Sequence, residues 1–142
     1  MDINQGRQNL RNFILQLNKM EKTPKEFGEA GVITPGEINT IEAIGITEKM
    51  TMQDLAIKLE ITKGAVTQLV DRLEKKGLAW REIHPYDLRT FQISLTPKGI
   101  SAYKAHEKLQ FEFYQHLSNQ LTPEEIIIFE KSIEKLMKFL QN

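Results

Sequence analysis

The segment from Thr51 to Gly99 constrains the fold more than any other part of this chain, because its apolar period changes from helical to alternating and back to helical. Thr51 followed by Asp54 has the spacing of an N-cap with an acid at N3, where a carboxylate complements the positive helix end. Leu55, Ala56 and Leu59 then recur as a buried stripe, with Gln53, Lys58 and Glu60 toward water. Thr62 caps a second helix, whose apolar face is Ala65, Val66, Leu69, Val70 and Leu73. Lys63, Thr67, Gln68, Asp71, Arg72 and Lys75 occupy its other side, and Gly77 stops it after the basic pair Lys75-Lys76. Gly64 in the first turn lowers helix propensity by up to about 1 kcal/mol against Ala. A missing side chain there lets a backbone come close, either that of the preceding helix or a sugar-phosphate strand.

After Gly77 the residues alternate. Leu78, Trp80 and Glu82 are expected on one side, Ala79, Arg81 and Ile83 on the other, with Phe91, Ile93 and Leu95 alternating in the return strand. The intervening His84-Pro85-Tyr86-Asp87-Leu88-Arg89-Thr90 reads as a long hairpin tip. Two helices followed by a two-stranded ribbon make a winged helix-turn-helix, so the expected fold class is mainly α with a small β-wing. In that arrangement the second helix enters a DNA major groove, and a cation at the tip reaches the electronegative minor groove. Arg89 is the candidate cation; a solvated arginine or a local pair with Asp87 is the plainer reading.

Three strings carry a family resemblance: Thr67-Gln68-Leu69-Val70-Asp71-Arg72-Leu73-Glu74-Lys75-Lys76-Gly77-Leu78, Asp87-Leu88-Arg89-Thr90 and Leu95-Thr96-Pro97-Lys98-Gly99. In order and at this spacing they resemble the MarR family, the multiple-antibiotic-resistance type of winged-helix repressor. The resemblance implies that Thr62, Lys63, Gly64, Thr67, Gln68 and Arg72 face the major groove. It also implies that Arg89 is the wing arginine and that Asp87 orients neighbouring cations. The side-chain chemistry agrees: Gln68 suits bidentate reading of adenine, Lys63 and Arg72 suit guanine or phosphate, and Thr67 offers a hydroxyl or a methyl.

The flanks are helical and rich in apolar residues. Leu10, Phe13, Ile14 and Leu17 share one face of a first helix. A helix after Thr96-Pro97 carries Ile100, Tyr103, Leu109, Phe113 and Leu117, and Thr122-Pro123-Glu124-Glu125 starts another bearing Ile126, Phe129, Ile133, Leu136, Met137 and Leu140. A small winged domain cannot cover so much apolar surface, and a two-fold homodimer clasped through the terminal helices is the economical solution. Two recognition helices so related meet successive major grooves about 34 Å apart, so the operator should be a near-palindrome. The resemblance adds that a small-molecule effector lodged between helical layer and reader changes that spacing; Phe13, Leu17, Ile44, Trp80 and Tyr103 are candidate lining residues. Domains divide as 1–33, N-terminal dimerisation helix and a polar connection; 34–98, winged helix-turn-helix with its first helix starting at Thr34-Pro35-Gly36-Glu37 and ending at Gly45; and 99–142, C-terminal dimerisation helices.

Composition bounds the function. At 142 residues and 40% hydrophobic, the chain fits one structural domain with a sizeable core. No apolar run of about twenty residues and no secretory pattern is present, so a cytoplasmic location and no membrane partner are expected. The absence of cysteine removes disulfides, thiolate metal sites and thiol-based oxidant sensing. A formal charge of zero is unusual for a DNA binder, but residues 62–98 hold seven basic against four acidic side chains and the remainder is correspondingly acidic. His84, His106 and His116 are too scattered for a local metal motif; Glu112 and His116, four apart, could hold an ion or simply pair at the surface. No phosphate loop, nucleophile elbow or paired-carboxylate motif is present. The expectation is a non-enzymatic, cofactor-free and metal-free dimeric regulator of double-stranded DNA, most simply a repressor; the alternative is a winged-helix module for protein partners.

Overall fold

The computed structural model describes residues 2–142 and orders six α-helices, a single 3-10 turn at Gly28–Ala30 and five short strands along them. Helix α1 (Ile3–Lys22) is followed by a hairpin of β1 (Lys25–Glu26) and β2 (Val32–Ile33), then α2 (Pro35–Ile44), β3 (Met50–Thr51), α3 (Met52–Leu59) and α4 (Lys63–Lys75). Strands β4 (Ala79–Ile83) and β5 (Phe91–Leu95) precede α5 (Pro97–Asn119) and α6 (Pro123–Gln141). The chain divides into two compact units, one ending at His106 and one spanning Glu107–Asn142. The anticipated fold class, mainly α with a small wing, is what is found.

Local chemistry explains most boundaries. Thr34, Thr51 and Thr122 each form a reciprocal capping box with the acid three residues on, Glu37, Asp54 and Glu125. Helix α4 ends in a Schellman arrangement: the amide of Gly77 donates to Glu74 O and that of Leu78 to Leu73 O, at 2.9 and 2.8 Å. Gly77 takes a φ of 71°, which is why glycine stands there. The tight α3–α4 turn has no glycine; Glu60 adopts the left-handed region instead, at φ 55°.

The core of the first unit lies where α2, α3 and α4 meet the sheet. Ile41, Leu55, Val66, Val70, Leu73, Leu78 and Ile93 are fully enclosed there. Two expectations need correction. The wing is a three-stranded antiparallel sheet in the order β3-β5-β4, Met50 standing opposite Ile93, rather than a two-stranded ribbon. Two residues of strand are too few to show an alternation, so β3 was invisible to periodicity. Likewise the stretch after α1 is a hairpin that turns Phe27, Ala30 and Ile33 into the core, not a polar connection.

Gly99 has its own physical reason. A Cβ there would lie 1.9 Å from Leu78 O. The neighbouring Thr96 hydroxyl donates to Gly77 O at 2.7 Å and accepts from the Gly99 amide at 3.0 Å, and its backbone N donates to Leu78 O. The Leu95-Thr96-Pro97-Lys98-Gly99 string is therefore a joint that pins the start of α5 to the end of α4.

The second unit is different in kind. Its residues of α5 and the whole of α6 include no buried side chain, although Tyr114 bonds Glu130 and Leu117, Leu121, Ile126 and Phe129 are partly covered. Helix α1, in the first unit, buries none of its residues either. No helix among the described residues is long and apolar enough to cross a membrane.

Candidate nucleic-acid interface

Helix α4 is two-faced. Thr62 caps it, its Oγ1 accepting from the Ala65 amide at 3.1 Å, and Val66, Val70 and Leu73 anchor one side in the core. Gly64, Gln68 and Arg72, four apart, form an exposed row on the other side, beside a second row of Lys63, Thr67 and Asp71. The Thr67 hydroxyl donates back to Lys63 O at 2.9 Å, so its methyl and an oxygen lone pair remain available. Lys63, Arg72 and Lys75 have no ion-pair partner among the described residues.

At Gly64 the packing explanation fails. Nothing in the protein lies within 4 Å of a Cβ built there, so packing against the preceding helix is not its reason. The first turn of α4 instead presents open backbone to solvent, flanked by Thr62 and Lys63.

The wing tip is held by its own hydrogen bonds. His84 N donates to Thr90 O at 2.8 Å, Thr90 N to Asp87 O at 3.1 Å and Tyr86 N to His84 Nδ1 at 3.1 Å. Asp87 Oδ1 accepts from the backbone N of Arg89 at 3.1 Å and from its Nε at 3.3 Å. These bonds, the backbone one foremost, hold the Asp87 carboxyl below its ordinary pKa. Arg89 is thus both locally paired and solvated: its side chain is 92% exposed, and the pairing uses one edge of the guanidinium.

Not every basic residue of this region faces outward. Arg81 is mostly buried and bonds Asp71 and Glu74 of α4, and Lys76 donates to Glu37 Oε1 at 2.8 Å and to Val32 O at 3.1 Å. Periodicity marked Glu37 only as a capping residue, but it is fully enclosed. Burial pushes its carboxyl up, while hydrogen bonds from Lys76 and Thr34 and the Lys76 charge outweigh this and hold it below its ordinary value of 4.5. Of the seven basic residues in this region, Lys63, Arg72, Lys75 and Arg89 are exposed on α4 and the wing tip, and Lys98 is exposed at the start of α5, donating to Lys76 O at 3.0 Å.

The five residues considered for an effector lie in different settings. Ile44 is in the core, Tyr103 packs partly against it, Leu17 is half-buried, and Phe13 is exposed on α1. Trp80 stands on the outer face of the wing, opposite Ser94, to whose hydroxyl its Nε1 donates at 2.7 Å. That face is turned away from Ile93 and Leu95, which line the core with Ile44. Glu112 has Lys108 as its ion-pair partner, at 3.9 Å.

This architecture has known relatives. A model of the MarR family matches residues 33–91, from β2 to the start of β5. The uncharacterized HTH-type transcriptional regulator YsmB of Bacillus subtilis (strain 168) is 32% identical over 104 residues, covering 73% of this chain and 71% of that protein. The multiple antibiotic resistance protein MarR of Salmonella typhimurium is 28% identical over 106 residues, 74% of either chain. Among solved structures, Streptococcus pneumoniae FabT in complex with DNA superposes with a TM-score of 0.79 at 26% identity, over 98% of this chain and 95% of the other. A Staphylococcus aureus MepR–DNA complex gives 0.73 at 26% identity, over 92% and 96%. Matched by the family model over residues 33–91, and 32% identical to the Bacillus subtilis regulator over 73% of its own length, this chain belongs to the MarR family of transcriptional regulators.

Proposed function

We propose that the protein is a homodimeric regulator that binds a near-palindromic operator in double-stranded DNA and acts most simply as a repressor. The observation that carries the reading is the division of α4. Its inner side is locked by Val66, Val70 and Leu73, while Thr62, Lys63, Gly64, Thr67, Gln68 and Arg72 occupy the outer side and cap region. The FabT and MepR structures, both solved with DNA, support it. Gln68 and Arg72 have the reach and donor sets for base edges, Lys63 and Thr62 for phosphate, and Arg89, oriented by Asp87, for the minor groove.

Dimerisation follows from uncovered apolar surface. Leu10, Phe13 and Ile14 of α1 and Ile133, Leu136, Met137 and Leu140 of α6 are all exposed in the single chain. The second unit is shorter than the roughly 40 residues below which a chain usually needs a disulfide, a metal or a partner to fold. Release by a small molecule requires a ligand that binds one spacing of the two reading helices better than the other.

Selection from a random duplex library followed by a salt titration tests the reading. We expect an enriched inverted repeat, with affinity that falls steeply as salt rises. Arg89→Ala should weaken binding to that repeat by about 1–3 kcal/mol while leaving the dimer intact. Absence of any enriched sequence would refute the proposal.

A further inference from the structure

Arg81 is a basic residue of the reader that the DNA-facing set does not use. It lies on β4 opposite Ile93, on the inward face of the wing, with Ile83 and Phe91 next along that face. Its Nη2 donates to Asp71 and its Nε to Glu74, two carboxylates on adjacent turns of α4. Its Cζ lies 5.7 Å from the centroid of the Phe91 ring on β5. One planar cation therefore links the reading helix to strands β4 and β5 of the wing. Asp71 also belongs to the row of α4 that begins with Lys63 and Thr67, so the same bond screens a negative charge that would otherwise oppose a duplex.

We propose that Arg81 is a positioning residue that fastens the wing to the recognition helix, so that Arg89 and the Gln68–Arg72 row meet DNA as one pre-set unit. This rests on the DNA-binding reading above. Ordering the two parts before binding removes conformational entropy that association would otherwise cost. The fork geometry matters: a lysine places one point charge and cannot engage two carboxylates and a ring together. The competing role is a direct phosphate contact by Arg81 itself, and the two roles predict opposite signs. If Arg81 fastens, Glu74→Gln loosens the wing and weakens DNA binding. If Arg81 contacts phosphate, Glu74→Gln frees it and strengthens binding.

The chain has no cysteine, so Gln68→Cys with Tyr86→Cys gives a clean spin-label pair on helix and wing tip. Diluted with unlabelled chain to isolate one pair, the distance distribution should be narrow in the parent and clearly broader in Arg81→Met. An equally narrow distribution overturns the proposal. On an unlabelled chain and its selected duplex, Arg81→Met should cost about tenfold in affinity, and Arg89→Ala should cost much less in that background than in the parent, the non-additivity of coupled sites. Equal cost in both backgrounds, or tighter binding by Glu74→Gln, also overturns it. Circular dichroism melts check folding, and Arg81→Lys supplies a milder variant with an intermediate width should Arg81→Met melt early. A parent chain that binds no duplex refutes the DNA reading alone, because the distance measurement contains no DNA and still decides whether Arg81 fastens the wing.

Discussion

The reader, from Thr34 to Gly99, and the terminal helices use the same apolar residue types at the same helical spacing, yet their fates differ. In the reader, stripes on α2, α3 and α4 meet each other and the sheet, and Ile41, Leu55, Val66, Val70 and Leu73 are fully enclosed. In α1 and α6, stripes of the same period leave no residue fully buried within one chain. An amphipathic pattern therefore reports that a face will be covered, without saying whether the cover comes from the same molecule. Where short capped helices and tight turns bring neighbours back within a few residues, the cover is local. Two long helices at opposite ends of a sequence have no such guarantee, and a second copy completes them most simply.

The sharpest way to break this contrast is a charge on the uncovered face. Leu136→Asp should weaken self-association by more than about a hundredfold, since an unpaired buried carboxylate at an interface costs several kcal/mol. Light scattering should find monomers and operator binding should collapse with it; a variant that stays dimeric removes α6 from the interface. Leu73→Ala, in the reader, should instead cost about 2–5 kcal/mol by opening a cavity. Denaturant melts should give the same loss across protein concentrations, provided the dimer persists throughout.

Smaller effects sharpen the picture of how the reader is held. Glu37→Gln removes the charge that Lys76 meets and should cost about 1–3 kcal/mol at neutral pH. Because the Glu37 pKa is lowered on folding, the parent has that stability in full above 4.5 and loses it as pH falls through the lower, folded value. The gap between Glu37→Gln and the parent should therefore close in acid, and a gap independent of pH would show that shape, not charge, is what Glu37 supplies. Gly64→Ala should raise thermal stability by up to about 1 kcal/mol, since nothing in the protein obstructs the new methyl. If a phosphate strand approaches there, the same variant should bind operator more weakly; unchanged affinity would place the duplex elsewhere on α4.

Much of the reader was legible because its signals are short-range. The threonine caps at Thr34, Thr51 and Thr62, like that at Thr122 outside the reader, and the stop at Gly77 depend on atoms within one turn, and each is found where the spacing places it. The exposed row of α4 and the protruding tip at Arg89 likewise follow from a 3.6-residue period and a hairpin. What escaped was long-range. β3 pairs with a strand some forty residues away, and Phe27, Ala30 and Ile33 enter the core from a segment whose glycines and charges suggest only a loop. Gly64 invited a packing explanation, whereas the glycine pressed against backbone is Gly99, at 1.9 Å from Leu78 O to a hypothetical Cβ. Arg81 and Lys76 counted as two more positive charges for DNA, and each is spent on carboxylates within the fold.

The sequence alone determined the element types, the ends of most helices, the side of α4 that stays exposed and the winged class, since hydrogen bonds and apolar periods of a few residues fix these. Only the tertiary structure decided which cations face outward, which glycine is sterically required, and that a third strand and a hairpin close the core. Those outcomes depend on distances between residues remote in the chain. The same lysine or arginine at the same hydropathy becomes a groove contact or an internal clamp according to whether a carboxylate from another element arrives within hydrogen-bond reach.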